Sequence, residues 1–494
     1  VQKRYDEKEA FKPTHDDSKP VKNKPPASAS PSLTLHNSDL ISREVPPKYL
    51  FGKTVHLNIY ACLPPFTLPV PHPSPPPLLR WLFLDLNSYF ASVEQQVDER
   101  LRGRPVAVVP VMTDYTCAIA ASREAKQFGV KTGTMIGDAK KMCPGLVLVL
   151  ARHDLYVEFH HKIINEVERH FPVHAVCSID EVALKLDPPR QPQDKALDLA
   201  RRIKAGLRKN IGEITTCSIG LAPNRFLGKV ASDLKKPDGL EVIHMHDMPG
   251  RLQHLDLRDL PGIGRNMEPR LQRENIYTFL DLWNATPQML HAAWGGVGGD
   301  RFWQQLHGGE LDDLPTERRT IGHSHVLAPE FRRPEAAAIV AKRLVLKAAS
   351  RMRRLQYRAT EMSVSVRAED RSRGEAHLRF PAVSDSFALV RIMDQLWLDC
   401  LQQTGPVRMK KISVTLHGLE SWDAPEQLDL FPELGSPVAA SKDRRERLSK
   451  IMDDLNQHYG RDSIALGFLP DAVKTFSGTK IAFTRIPSLE EFKE

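Results

Sequence analysis

Asp85 and the pair Asp180-Glu181 are the residues whose types and setting most directly suggest chemistry. Asp85 lies near the end of the apolar run Trp81-Leu82-Phe83-Leu84-Asp85-Leu86. Asp180-Glu181 sits inside a second run, Ser178-Ile179-Asp180-Glu181-Val182-Ala183-Leu184. Carboxylates in core-type strands cost desolvation free energy unless a cation meets them. Mg²⁺ is a hard ion that prefers oxygen ligands, and a pair of such ions is a common apparatus for displacement at phosphorus. The competing explanation is a set of unrelated strand-end acids. One geometric condition separates the two. Consecutive strand residues face opposite sides of a sheet, so Asp180 and Glu181 can share a site with Asp85 only if the chain bends there. An irregularity is therefore expected between Ile179 and Val182.

Two aromatics, Tyr89 and Phe90, follow Asp85 closely. A metal held at Asp85 would lie beside a nucleotide sugar packed on such a ring. The run from Ser218 to Ser232 reads strand, turn, helix, and leads into Lys235-Lys236-Pro237-Asp238-Gly239. Lys236, fixed before Pro-x-Gly at an exposed turn, can reach a phosphate as a compact point charge.

These residues need a frame to position them. Strand patterns occur at 81–86, 105–111, 146–150, 174–186 and 215–222, with helical patterns at 122–128, 154–169, 194–209 and 224–234. That alternation predicts a mixed α/β domain. The pattern is mostly helical from about Leu260 to Gly309. It then becomes strand 320–326, helix 335–355, strands 360–367 and 375–380, helix 386–402 and strand 409–416. The order β-α-β-β-α-β is the split βαβ arrangement. A helix is expected at about 442–458. Residues 1–79, rich in Pro, Ser, Lys and Asn, read as a disordered extension.

A chain of 494 residues exceeds one ordinary core and predicts several domains. Its net charge of +8 suggests a polyanion partner. From Arg318 to Phe380 there are 15 Lys and Arg against 6 Asp and Glu, a local surplus suited to a phosphate-facing surface. None of the 6 cysteines forms a C-x-x-C pair, which argues against zinc. No run of 18 apolar residues and no signal-peptide core is present, so a cytoplasmic protein with no membrane partner is expected.

The Asp-bearing strand, Ser-Ile-Asp-Glu, Asn-Arg-x-x-x-Lys-x-Ala-Ser and Lys-Pro-x-Gly occur here in that order. Together they resemble the Y-family translesion DNA polymerases of polymerase IV or UmuC type, over Leu82 to Leu419. The resemblance implies a right-hand α/β multidomain polymerase. It would have a ferredoxin-like palm (80–90 and 152–243), small fingers (91–151), a helical helix-hairpin-helix thumb (244–316) and a βαββαβ little finger (317–420). A tail (421–494) would follow. Asp85, Asp180 and Glu181 would bind two Mg²⁺ ions with the Leu86 carbonyl as a further ligand. Phe90 would be the steric gate beside Tyr89, and Lys236, Arg123 and Lys126 would hold the dNTP triphosphate. The fingers depart from the family pattern: Ala120 replaces Thr, Arg123 replaces Tyr and Lys126 replaces Arg, while Ser88 replaces a common aromatic.

Leu260-Pro261-Gly262-Ile263-Gly264 resembles a helix-hairpin-helix turn, in which Gly262 and Gly264 let backbone N–H groups bind a DNA phosphate. An ordinary αα turn is the alternative. Arg319 and Arg332 would track primer-template phosphates. Gln427-Leu428-Asp429-Leu430-Phe431 resembles the bacterial sliding-clamp binding motif, with Gln427, Leu428, Leu430 and Phe431 as anchors. A local contact with the little finger is the alternative there. The tail beyond 440 reads equally as protein-binding or as packing. The function implied is a template-directed DNA polymerase acting in translesion synthesis, monomeric apart from the clamp. The rivals are an inactive accessory subunit that binds DNA and the clamp, and a nucleotidyl cyclase with a similar palm.

Overall fold

The computed structural model describes residues 79–312, 317–423, 437–460, 463–466, 481 and 486–492. The Pro-rich stretch up to residue 78 and the peptide Gln427 to Phe431 lie outside them. Leu79 is already buried, three residues before the expected onset of order at Leu82.

The first part of the chain runs β1 (Trp81–Leu86), α1 (Tyr89–Val97), β2 (Val106–Val109), β3 (Ala120–Ala121), α2 (Arg123–Gln127), α3 (Ile136–Met142), β4 (Val147–Leu150) and α4 (His153–Glu168). It continues through β5 (Ala175–Val176), β6 (Glu181–Lys185), α5 (Gln193–Asn210), β7 (Cys217–Ala222), α6 (Arg225–Leu234) and β8 (Leu240–Val242). Five of these strands form one sheet in the order β5-β6-β1-β7-β8. β1 is its central strand, antiparallel to both β6 and β7. An unbroken apolar run suits a strand covered on both faces. Leu82, Leu84 and Leu86 pack with Tyr156 and Ile163 of α4 and Leu199 and Ile203 of α5. Strand alternation turns Phe83 and Asp85 to the other face, where α6 lies. A small second sheet, β3-β2-β4, is inserted between β1 and α4 and packs on short cores around Ala125, Ala139, Ala118 and Ile136.

A helical unit follows: α7 (Glu268–Arg273), α8 (Phe279–Asn284), α9 (Pro287–Trp294) and α10 (Val297–Leu306). Its core is continuous with Leu227, Val230 and Ala231 of α6. The last sheet unit comprises β9 (Ile321–Val326), α11 (Pro334–Arg354), β10 (Tyr357–Ala368), β11 (Arg373–Val383), α12 (Ser386–Thr404) and β12 (Met409–Ser421). Its strand order is β11-β10-β12-β9. Each pair of strands joined through a helix is separated by a third strand, as the split βαβ arrangement requires. α13 (Pro437–Tyr459) packs on α11 and α12. There Arg353 of α11 makes a two-pronged pair with Asp453 at 2.6 and 2.9 Å and donates to the Ser384 carbonyl at 2.6 Å.

The sequence pattern did not signal α1 or α3. α1 follows Ser88, which has a left-handed φ of 51° and makes no side-chain cap. α3 spans seven residues, carries Gly137 in its first turn and also lacks a side-chain cap. The expected strand at 174–186 is two strands, β5 and β6, separated by a turn. Among the described residues no helix is long and apolar enough to cross a membrane.

Candidate active site

The turn between β5 and β6 sets the acidic residues. The N–H groups of Cys177 and Ser178 both donate to the Glu181 carbonyl, at 2.9 and 3.2 Å. Asp180 therefore lies in the turn rather than in a strand, at the expected irregularity. Ser178 Oγ donates to Asp180 Oδ1 at 2.6 Å, and the Leu86 N–H donates to the Asp180 carbonyl at 2.9 Å. Glu181 opens β6 as the register partner of Asp85, and directly opposed residues share a face. All three carboxylates line one cleft of about 1250 Å³, together with Leu86. Burial raises the pKa of Asp180. Ser178 opposes that shift, and the charges of Asp85 and Glu181 add to it.

Two lysines answer this acidity. Lys229 of α6 bonds Asp85, lies 2.7 Å from Glu181 and pairs with Asp233 one turn on. Lys236 lies 2.7 Å from both Asp85 and Asp233. Burial works against the charge of Lys229, but Asp85 and Asp233 outweigh it and hold its pKa above the ordinary lysine value. Helix α6 can deliver Lys229 because it lies almost directly on β7. A Cβ on Gly220 would sit 2.1 Å from the Gly228 carbonyl oxygen, and one on Gly228 would meet Phe83 at 3.2 Å. Among the described residues no cluster of three or more His, Cys, Asp or Glu closes around a metal position. The Lys229 ammonium is the cation shared by Asp85 and Glu181. The oxygen donors and their demand for positive charge nonetheless fit Mg²⁺.

The aromatic wall begins at Ser88. Its left-handed backbone turns the chain sharply out of β1, a conformation that costs about 1–2 kcal/mol outside glycine. Asn87 braces the turn: its carbonyl accepts from Ser92 Oγ at 2.7 Å and its Oδ1 from Ser218 Oγ at 3.0 Å. Tyr89 is buried and donates its hydroxyl to the Tyr156 carbonyl at 2.7 Å. Phe90 stands half-exposed on the cleft, its ring stacked on Tyr156 at 4.3 Å and meeting His153 edge-on at 6.1 Å. The Tyr156 hydroxyl donates to buried Glu94 at 2.7 Å, and Arg152 pairs with the same carboxylate. Arg123 and Lys126 of α2 line the same cleft. Desolvation inside the cleft lowers the pKa of Lys126. Lys236 adds to that shift, and Asp85 and Asp180 oppose it.

Residues 84–233 match the impB/mucB/samB family, residues 318–430 its C-terminal domain, and residues 258–310 the DNA polymerase-iota thumb domain. The chain is 34% identical over 393 residues to a DNA polymerase IV of Moorella thermoacetica, covering 77% of this chain and 93% of that protein. The chain belongs to the Y-family DNA polymerases. A DNA polymerase IV of Pelotomaculum thermopropionicum is 31% identical over 390 residues, covering 78% of this chain and 93% of the relative. In fold, the chain is similar to a solved Y-family DNA polymerase chimera with a TM-score of 0.60 at 23% identity, over 69% of this chain and 98% of that one. The right-hand multidomain architecture accounts for the three sheets and for the helical unit that precedes the last of them.

Further surfaces of this Y-family polymerase carry the residues expected to meet nucleic acid. Gly262 takes a φ of +91°, which the turn before α7 requires, whereas Gly264 does not need a left-handed backbone. Among the described residues the N–H groups of Gly264, Arg265 and Asn266 have no acceptor. Arg319 is exposed just before β9. Arg332 instead spends its donors internally, on Glu369 at 2.6 Å and the Leu327 carbonyl at 3.0 Å. The face of the last sheet opposite α11 and α12 carries Ser324, Ser363, Ser365, Ser413 and Thr415. Along one edge of it Arg367, Arg373 and Lys411 stand abreast on three strands. Like charges directly opposed repel, and among the described residues none of the three has an ion pair.

Sequence reasoning gave no role to Lys229, Asp233, Glu94 or Tyr156. Lys229, Asp233 and Lys236 fall at spacings of four and three, which place them on one side of α6 and its extension. That was the available signal. Glu94 carried none, because an acid beside Gln95 and Gln96 reads as solvent-facing.

Proposed function

We propose that this cleft is the nucleotidyl-transfer site of a template-directed DNA polymerase acting in translesion synthesis. The observation that carries the reading is the convergence of Asp85, Asp180 and Glu181 at one end of a cleft walled by Phe90 and by Lys126, Arg123 and Lys236. On this reading the palm comprises 80–90 and 152–243, the fingers 91–151, the thumb 244–316, the little finger 317–420 and the tail 421–494.

Asp85, Asp180, Glu181 and the Leu86 carbonyl would hold two Mg²⁺ ions. Bound there, the ions would lower the pKa of the primer 3′-OH and stabilise the leaving pyrophosphate. The rest falls to the chain's own side chains. Lys236, Lys126 and Arg123 bind the dNTP triphosphate and keep it against the carboxylates. Lys229 and Lys236 neutralise Asp85 and Glu181 until metal and nucleotide take over that charge. Phe90, backed by Tyr156, closes the space that a ribose 2′-OH would need. Tyr89 supports that wall from beneath through its hydroxyl.

Primer-template DNA then lies across the remaining surfaces. The N–H groups after Gly262 and Gly264 bind a phosphate without reading sequence. Arg319, Arg367, Arg373 and Lys411, with the hydroxyl-bearing sheet face, follow the backbone. Arg332 supports that unit by fixing Glu369. Gln427, Leu428, Leu430 and Phe431 dock on a bacterial sliding clamp. Retention of all three carboxylates in one cleft argues against an inactive accessory subunit.

The test is primer extension with Mg²⁺ and four dNTPs on an undamaged template and on one carrying an abasic site. Extension on the first and insertion opposite the lesion on the second support the reading. DNA binding without extension on either template would reject it.

A further inference from the structure

Residues 486–492 return to the palm. Leu489–Phe492 form a 3-10 turn that packs on α4. Ile486 and Phe492 lie half-buried against the palm core, and Pro487 between them is buried. Ile481 packs on the same core and also lines the cleft that holds Asp85, Phe90 and Lys126. The helix α13, which precedes these residues in the chain, is fixed to the little finger, because Arg353 grips Asp453 and Ser449 Oγ accepts from the Ser386 N–H at 3.0 Å. Among the described residues, the strands and helices of the little finger do not pack on those of the palm, fingers or thumb.

We propose that Ile481 and Ile486–Phe492 form a strap that completes the active site, with Ile481 as a positioning residue on the wall of the nucleotide cleft. Two features make the strap more than packing. First, α4, on which it sits, carries Tyr156 and His153, the two rings that hold Phe90. Docking of residues 486–492 therefore bears on the same helix that backs the sugar wall. Second, the apolar anchors draw residues 486–492 onto the palm to leave water, and this places an aliphatic side chain on the wall of the cleft that also holds Phe90 and Ile119. The strap also gives the little finger a covalent path to the palm that does not run through the thumb. The positioning role rests on the polymerase reading, whereas docking of the strap does not.

The experiment uses the full chain in three variants: Ile486→Asp with Phe492→Asp, Ile481→Ala, and Ile481→Val. Hydrogen exchange without DNA tests docking. Wild type should protect residues 486–492 and α4, and the double Asp variant should exchange there roughly tenfold faster. Equal protection in both would overturn the strap. Equilibrium dNTP binding to a dideoxy-terminated primer-template complex, followed by single-nucleotide insertion, tests positioning. The double Asp variant and Ile481→Ala should each weaken dNTP binding and raise KM roughly tenfold, with kcat within about twofold. Ile481→Val should restore the wild-type value. Unchanged dNTP affinity in a variant that has lost exchange protection would overturn the positioning role. Failure of the wild type to bind dNTP would reject the polymerase reading and that role together, while exchange would still decide docking.

Discussion

The palm and the little finger share the element order β-α-β-β-α-β but not the strand order. In the palm the first strand, β1, lies in the middle of the sheet between β6 and β7. In the little finger the first strand, β9, is an edge strand that pairs with β12 alone. A central strand has register partners on both sides, so Asp85 faces Glu181 on one neighbour and Ser218 on the other. Chemistry that needs several groups at one buried point can be built there. The little finger keeps one sheet face open and spreads its cations and hydroxyls over several strands. That arrangement suits a long polyanion that needs no single focus. On the proposed reading the palm concentrates function in a few residues, and the little finger distributes it.

The sharpest way to break this contrast is at β1. Asp85→Ala should lower the primer-extension rate by roughly a thousandfold or more, because it removes a carboxylate from the metal site and leaves two lysines facing less charge. Retained extension in a gel assay would place the chemistry elsewhere. The next effect concerns the sugar wall. Phe90→Ala should reduce discrimination between dNTP and rNTP roughly a hundredfold, read as the ratio of insertion efficiencies, while DNA affinity stays constant.

Smaller effects sharpen the comparison. Tyr156→Phe leaves Glu94 without its hydroxyl donor and should cost about 1–2 kcal/mol in a urea unfolding titration. In the little finger, Arg373→Ala should weaken DNA binding severalfold on any sequence and lower the slope of log K against log salt by about 1, with no change in insertion rate at saturating DNA. A loss of saturating rate comparable to that at Asp85 would erase the distinction between the two sheets.

The smallest effect is acid sensitivity of the palm core. Burial lowers the pKa of His160, against the opposing hydrogen bond with the Ile179 carbonyl at 2.8 Å. The unfolded chain protonates this ring near 6.5, before the folded chain does. His160 therefore contributes full stability above that pH, and the contribution is lost as pH falls, at no more than about 1.4 kcal/mol per unit. Melting curves between pH 7 and pH 5 should show this decline, and His160→Phe should flatten it.

Much of the palm site was legible because its residues break local rules. An acid in the apolar run of β1 asks for a cation. Two consecutive acids cannot face one point from a regular strand, and the turn at Ser178 to Asp180 is the consequence. The split crossover of the little finger followed from element order, but the position of β9 at the edge did not, because strand order depends on pairings far apart in sequence. Ser88 hid the start of α1, since a left-handed residue without glycine leaves no local signal. Arg332 read as a phosphate contact because its partner Glu369 lies 37 residues away. Lys229 was visible only as one cation on a helix until two glycines, Gly220 and Gly228, brought α6 onto the sheet.

The most direct test of the central claim is single-turnover insertion with Mg²⁺ on pre-bound primer-template, comparing wild type with the double variant Asp180→Asn, Glu181→Gln. The account predicts insertion by the wild type, none measurable by the variant, and equal DNA affinity for the two. Insertion by the variant at the wild-type rate, or none by a wild type that holds DNA, would contradict it.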